Sequence, residues 1–231
     1  MKDCRRPLHS TCCSTAPLDT DGGDVVERDR LLEAALPHLA TNGWSHAALH
    51  TGAVEAGFSR AEADRLFPEG VDDLLRWFDD WADRHMLAAL DALDLSSMKI
   101  RERVAAGVMA RLDALAPHRD VVRRALAHRF GPQGTLSAAQ TVLRTVDRIW
   151  IAAGDRATDY NFYTKRGLLA SAYAPTVLFW LDDESPDKAE TRAFLERRLG
   201  EILQIPKLQA RIKQTFDPLL APFERLLKGG N

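Results

Sequence analysis

Cysteine is nearly absent from this chain. Three occur in 231 residues, Cys4, Cys12 and Cys13, and none lies beyond position 13. No disulfide can therefore staple a folded core, which suits a reducing compartment. Adjacent Cys12 and Cys13 are not a zinc spacing, and no histidine pair sits near them. Also missing is an excess of charge of one sign. Lys and Arg number 31 against 33 Asp and Glu, for a net charge of −2. That gives no global attraction to nucleic acid or to an anionic membrane, so any basic surface must be local. No apolar run reaches the ~18–20 residues that span a bilayer. The first 23 residues hold Arg5 and Arg6 but no apolar stretch of the ~7–15 residues of a secretory signal. They read as a disordered tail. No convincing strand, internal repeat or low-complexity block appears, so the expected fold class is all-α.

What is present centres on one stretch. Gly167 to Leu181 is 15 residues without a charge, bounded by Lys165 and Arg166 before it and by Asp182, Asp183 and Glu184 after it. Too short to cross a membrane, a helix apolar on every face is expected to be buried among other helices. Pro175 lacks the N–H that would bond the Ser171 carbonyl, so a bend is expected there. Gly167, Ala170, Ser171, Ala172 and Ala174 are small, and Tyr173, Phe179 and Trp180 flank them. Two readings follow. Either neighbouring helices fill the space beside the bend, as close packing favours, or a long apolar hollow is left inside the bundle.

Helical spacing accounts for the rest. Asp24 opens a first helix through Val25, Leu31, Leu32, Ala35, Leu36 and Leu39, kinked by Pro37 and stopped at Asn42 and Gly43. Ser45 caps a second, ending near Ala56 and Gly57, and Ser59 with Glu62 forms a capping box for a short third ending at Phe67 and Pro68. Residues 45–67 thus spell a helix-turn-helix. A fourth helix follows Gly70, with Leu74, Phe78, Trp81, His85, Leu90 and Leu93 on one face. The fifth is expected from Ser97 to Leu115. The sixth restarts at Pro117, and the seventh spans Leu136–Ala153 with Val142, Leu143, Val146, Ile149 and Trp150 inward. An eighth begins near Thr158, and a ninth begins at Ser185 and Pro186.

The residues bear on three functions. For DNA binding, the third helix and its sequel, Ser59–Asp73, set Arg60 and Arg65 against five acids, and the first helix is acidic too. Phosphate recognition needs the opposite sign, so no nucleic-acid partner is expected. For catalysis, His46 and His50 share a helix face, but Ala47 stands where a zinc protease needs glutamate. His118, Arg119 and Asp120 spell a kinase loop in letters only, for Ala125 occupies the asparagine position. No enzyme and no cofactor or metal is expected. For membranes, Leu208, Ile212, Phe216, Leu219, Phe223 and Leu226 repeat at helical spacing between basic residues. That pattern suits a membrane surface or a return onto the bundle, and Pro218 and Pro222 divide it.

The string GDRATDYNFYTKRGLLASAY, Gly154–Tyr173, together with Gly43-Trp44 and Glu55-Ala56-Gly57-Phe58-Ser59, resembles the coenzyme Q biosynthesis lipid-binding family. The resemblance covers about Asp24 to Leu203. It implies a TetR-like helical bundle of about nine to ten helices with a degenerate helix-turn-helix, usually homodimeric. It also implies a non-enzymatic role: binding an isoprenoid quinone lipid and presenting it to the demethoxyubiquinone hydroxylase or an equivalent quinone hydroxylase at a membrane surface. The family's partner-binding corner corresponds here to Asp147, Ile149, Tyr160, Phe162, Tyr163 and Arg166. The family pattern Asn-Trp-Tyr reads Asn161-Phe162-Tyr163, which keeps apolar area and loses an indole N–H.

The resulting expectation has four parts: a tail (1–23), a helix-turn-helix-like part (24–70), a ligand-binding bundle (71–205) and a C-terminal amphipathic segment (206–231). Lipid-binding candidates are Leu169, Tyr173, Val177 and Trp180 on the eighth helix, faced by Leu112, Val146 and Trp150. Membrane-binding candidates are the six apolar residues from Leu208 to Leu226. Head-group selectivity is expected from polar groups at the mouth, which the sequence does not place. The expected location is the cytoplasmic face of a bacterial inner membrane, or the mitochondrial matrix side in a eukaryote. A ligand-responsive transcription repressor is the alternative on the same fold, and a ligand-free scaffold a third reading.

Overall fold

The computed structural model describes residues 20–129, 135–155 and 160–202. Among them run α1 (Thr20–Asn42), α2 (His46–Glu55), α3 (Arg60–Leu66), α4 (Val71–Asp91), α5 (Ile100–Leu115), α6 (Arg119–Arg129), α7 (Thr135–Ala152) and α8 (Tyr160–Leu181). A further helix, α9, covers 189–202. No strand occurs among the described residues. The all-α class is as expected. The upper end of the expected helix count, like the whole segment 206–231, lies outside the described residues.

The helix ends obey local chemistry. Ser45 accepts a bond from the Ala48 amide. Ser59 and Glu62 form a reciprocal capping box on α3. Gly57 ends α2 at φ 80°, with Gly57 N bonding Val54 O and Phe58 N bonding Ala53 O. This is the Schellman pairing, and it needs a left-handed residue at that position. Gly154 and Asp155 close α7 with the same pair of bonds, onto Ile151 and Trp150. Gly52 serves packing instead. A Cβ there would lie 2.5 Å from the Ala35 Cα, so α1 and α2 cross at a distance that only glycine permits.

Several elements depart from expectation. α1 begins at Thr20 rather than Asp24 and runs through Pro37 as one helix. A short 3-10 turn, Leu95–Ser97, takes the first residues expected of α5. The ninth helix is delayed because Asp187 and Lys188 take positive φ within the 3-10 turn Pro186–Lys188. On α4, His85 faces solvent while Met86 takes the core position, and Leu93, just past the helix end, is half exposed. The His85 ring lies tilted against Trp81, with centroids 4.1 Å apart.

α4 is the central post. On one side, Arg84 grips Asp29 of α1 through two bonds of 2.7 and 2.6 Å. Trp77 Nε1 donates to the same carboxylate at 2.8 Å, and Arg28 lies 4.2 Å over the Trp77 ring. On the other side α4 packs on α5 and α7 around Leu74, Phe78, Ala82, Met86 and Leu90, all buried. Burying side chains of this size contributes about 1.5–3 kcal/mol each relative to exposure, before entropy is counted. Trp44 Nε1 donates to the Val121 carbonyl at 3.2 Å and fastens the start of α2 to α6.

Asp183 ties the end of α8 to α9. Its carboxylate accepts from the Ser185 amide at 2.8 Å, the Thr191 amide at 2.9 Å and the Thr191 hydroxyl at 2.5 Å. Burial opposes ionisation, but the donors of Ser185 and Thr191 outweigh it and hold this carboxyl well below the usual range. A depressed folded pKa adds stability above the unfolded value of about 3.9, and that stability is lost as pH falls toward the folded value. Asp183→Ala is expected to cost about 1–3 kcal/mol in urea unfolding near neutral pH. The difference from wild type should shrink below pH of about 4. An unchanged midpoint near neutrality would show that this corner carries no stability.

A candidate ligand cavity with a buried polar wall

A cavity of about 470 Å³ opens between α4, α5, α6, α7 and α8. Its apolar lining comes from Phe78, Leu115, Val122, Ala125, Leu126, Val142, Val177 and their neighbours. Small side chains create it. Ala170 and Ala174 on α8 face Ala138 and Ala139 on α7 and Ala125 on α6, all lining residues. Where a larger residue would reach across, these leave space. At the rim, Leu143 and Leu178 are 49% and 52% exposed. Mostly apolar walls with a few convergent polar groups are the usual makeup of a small-molecule site. Clefts of comparable size elsewhere have a larger polar share in their lining, such as the one beside Pro37 and His118.

The inner wall carries charge. α4 contributes Asp79 on the wall and, one turn along and behind it, Asp83, 5% and 0% exposed. α5 contributes Arg111, 4% exposed. Its Nε donates to Asp83 at 2.8 Å, one terminal nitrogen donates to the Tyr173 hydroxyl at 2.7 Å, and the other reaches Asp79 at 3.5 Å. Asp79 also accepts from Arg129 of α6 and from Thr141 of α7. Asp83 also accepts from Thr145 at 2.9 Å and Arg148 at 3.1 Å. Ion pairs taken out of water survive only when the charges are well hydrogen-bonded, and here every carboxylate oxygen accepts at least one bond. Burial by itself would lower the Arg111 pKa, but the Tyr173, Asp83 and Asp79 oxygens prevail and raise it, so this guanidinium stays charged. Burial pushes the Tyr173 phenol up to about 12, although Arg111 pulls the other way. Its hydroxyl therefore keeps its proton.

The expected lipid-binding residues divide. Tyr173 and Val177 line the cavity. Leu112, Val146, Leu169 and Trp180 are fully buried in the core, behind the wall rather than on it. Trp150, 8% exposed, donates to the Lys165 carbonyl at 3.1 Å and braces α7 on α8. The spacing of four, four and three marked an apolar stripe correctly, but a stripe does not distinguish packing from lining. Ala170 and Ala174, singled out for size, do line the space. Nor is the uncharged helix buried all round: Leu178 and Phe179 reach solvent.

The expected partner corner divides too. Asp147 and Arg166 form an ion pair at 2.5 Å between α7 and α8, with Arg166 itself buried. Ile149 is fully buried over Gly107 of α5, so it presents nothing outward, whereas Ile151 is 59% exposed. Tyr160, Phe162 and Tyr163 lie in the first turn of α8, and their side chains fall outside the described residues. The expected membrane-binding residues, Leu208, Ile212, Phe216, Leu219, Phe223 and Leu226, lie outside them as well. Among the described residues, no helix is long and apolar enough to cross a membrane, and no group of three metal-ligating side chains occurs.

Sequence reasoning missed Asp79, Asp83, Arg111, Arg129 and Thr141. A signal for them exists. Asp79 and Asp83 interrupt the stripe Leu75, Phe78, Ala82 and Met86, and Arg111 interrupts Val104, Val108, Leu112 and Leu115. Charges of opposite sign on two apolar faces seek one another, since neither can be buried alone.

Backbone architecture and cavity together define a TetR-like all-α protein with an internal cavity. The solved TetR transcriptional regulator from Nitrosomonas europaea superposes with a TM-score of 0.63 and 28% identity, covering 76% of this chain and 97% of that one. Sequence relatives narrow the class. A COQ9 family profile matches residues 135–206, which is α7 through α9. The bovine mitochondrial ubiquinone biosynthesis protein COQ9 is 30% identical over 219 residues, covering 88% of this chain and 69% of that protein. The Drosophila melanogaster protein of the same name is 32% identical over 216 residues, with 87% of this chain and 63% of that protein covered. The chain belongs to the COQ9 family of ubiquinone biosynthesis proteins. It spans somewhat under two thirds of the fly relative's length.

Asp83→Asn takes from Arg111 the nearer of its two carboxylates and leaves only the 3.5 Å contact to Asp79 in a dry site. The expected loss is about 3–5 kcal/mol in denaturant unfolding. A loss below about 1 kcal/mol would mean that the wall is hydrated and the pair contributes little.

Proposed function

We propose that this protein is a non-enzymatic carrier that binds an isoprenoid quinone lipid in the α4–α8 cavity. In this reading it presents the quinone intermediate to the demethoxyubiquinone hydroxylase at a membrane surface. One observation carries the reading: a cavity with apolar walls, an apolar rim and a few polar groups at its inner end matches an amphiphile with a small head and a greasy tail. Family membership supplies the pathway. Apolar burial at ~25 cal/mol per Å² gives a prenyl tail ample driving force without polar contacts. At about 470 Å³ the space fits a drug-sized portion of such a ligand, so a long tail must continue past Leu143 and Leu178. The protein then acts as a homodimer, peripheral on the membrane. Apolar side chains left in water on α7 and α8, Ile151 and Phe179 among them, offer surface for such contacts.

The repressor alternative has the neighbouring TetR regulator in its favour. Charge argues against it. Arg65 of α3 lies against Glu27 at 3.1 Å and Asp24 at 3.5 Å. His50 lies against Asp64 at 2.9 Å. Little positive charge is left over for phosphate.

The deciding experiment is organic extraction of the purified protein followed by mass spectrometry. Isoprenoid quinone intermediates are expected in the extract, and deletion of the gene should lower cellular quinone. Ala174→Trp, which fills the cavity from α8, should reduce the extracted lipid at least tenfold. Phe162→Ala should weaken hydroxylase association while leaving lipid content intact. An empty extract together with unchanged quinone on deletion would refute the carrier. Sequence-specific DNA binding at physiological salt would favour the repressor.

A further inference from the structure

The inner wall of the cavity has a chemical sense. Every oxygen of Asp79 and Asp83 already accepts from at least one of Arg111, Arg129, Thr141, Thr145 and Arg148. No bare acceptor is left over for a ligand there. Donors are. The Tyr173 hydroxyl accepts from Arg111 and keeps its own proton to give. The Arg129 Nε, on a side chain 8% exposed, is buried and has no hydrogen-bond partner among the described residues. Both residues line the cavity. A buried donor without an acceptor is costly and rare, and one at a cavity wall marks a place where something else accepts. Charge narrows the choice further. Two buried carboxylates balance two buried guanidiniums, so a ligand bearing a full charge would upset a closed account.

We propose that this wall is a donor subsite for an uncharged oxygen acceptor, a ring carbonyl or an ester carbonyl, and that the ligand enters head first. Its apolar tail then leaves between Leu143 and Leu178. The inference rests on the carrier reading for its setting and adds to it the polarity of the head group and the direction of entry. Ammonium and other donor-only head groups gain nothing at this wall. A hydrocarbon of the same shape leaves both donors unmet.

The test uses the full chain, stripped of lipid, and three probes delivered from detergent micelles: a decyl-tailed benzoquinone, methyl laurate and dodecylbenzene. Tryptophan fluorescence or calorimetry reads their affinity. Both carbonyl probes should bind at least tenfold more tightly than dodecylbenzene. Tyr173→Phe should weaken the carbonyl probes roughly three- to tenfold and leave dodecylbenzene unchanged. Arg129→Lys keeps the positive charge beside Asp79 and removes the Nε donor, so it should act in the same direction. This second variant decides the matter if the first folds poorly by thermal melting. Preference for the quinone over the ester identifies a quinone head, and equal affinity identifies an acyl lipid; either supports the subsite. Equal binding of dodecylbenzene to wild type, or an unchanged preference in both variants, overturns it. The carrier reading fails separately, by extraction from cells, so a protein that prefers carbonyl probes yet carries no isoprenoid would lose only that reading.

Discussion

The buried contact between Arg111 and the two carboxylates of α4 constrains the rest of this molecule. Two charges four residues apart on one helix face cannot be left in a dry interior, and one guanidinium from α5 meets both. Each partner then recruits others: Arg129 from α6, Thr141 and Thr145 from α7, Tyr173 from α8. Five helices are fixed in register by one polar cluster. Hydrophobic packing alone tolerates sliding, since one Leu substitutes readily for another. A closed set of hydrogen bonds does not. The cavity exists where it does because these helices are held apart by the cluster and by small residues, rather than allowed to collapse onto one another.

That arrangement also gives the cavity its two ends. The inner end is polar, balanced in charge and rich in donors. The outer end is apolar, with Leu143 and Leu178 in water. For the proposed carrier, this asymmetry would supply selectivity. A uniformly greasy hollow would accept any hydrocarbon, and specificity must come from buried groups that are left unpaired by the wrong ligand. The sequence reading assigned selectivity to a polar mouth. The structure has the polarity on the inner wall and the apolar surface at the rim.

Much of the fold was legible in the chain. Ser59 with Glu62, Ser45, Gly57, Asn42 with Gly43 and Gly154 marked helix ends within a residue or two, because capping depends on local geometry alone. The Gly167–Leu181 run marked the helix that borders the cavity, and its alanines marked where space would be. The individual wall residues were harder. Leu112, Val146, Leu169 and Trp180 have the right spacing and the right chemistry, yet they pack into the core. Which side of a buried helix faces a void depends on the angle and distance of its neighbours, and one helix's sequence holds no record of those.

Helix positions, the acidic character of the first and third helices, the absence of disulfides from the core and the family resemblance all follow from the sequence itself. They depend on neighbours along the chain or on simple counts of charge. Tertiary structure alone decided that Asp79, Asp83, Arg111 and Tyr173 meet, that Ile149 turns inward while Ile151 turns out, and that a space remains beside Ala170 and Ala174. Asp79 and Tyr173 lie far apart in sequence, and only the crossing of α4, α5 and α8 brings a carboxylate, a guanidinium and a phenol to one dry wall.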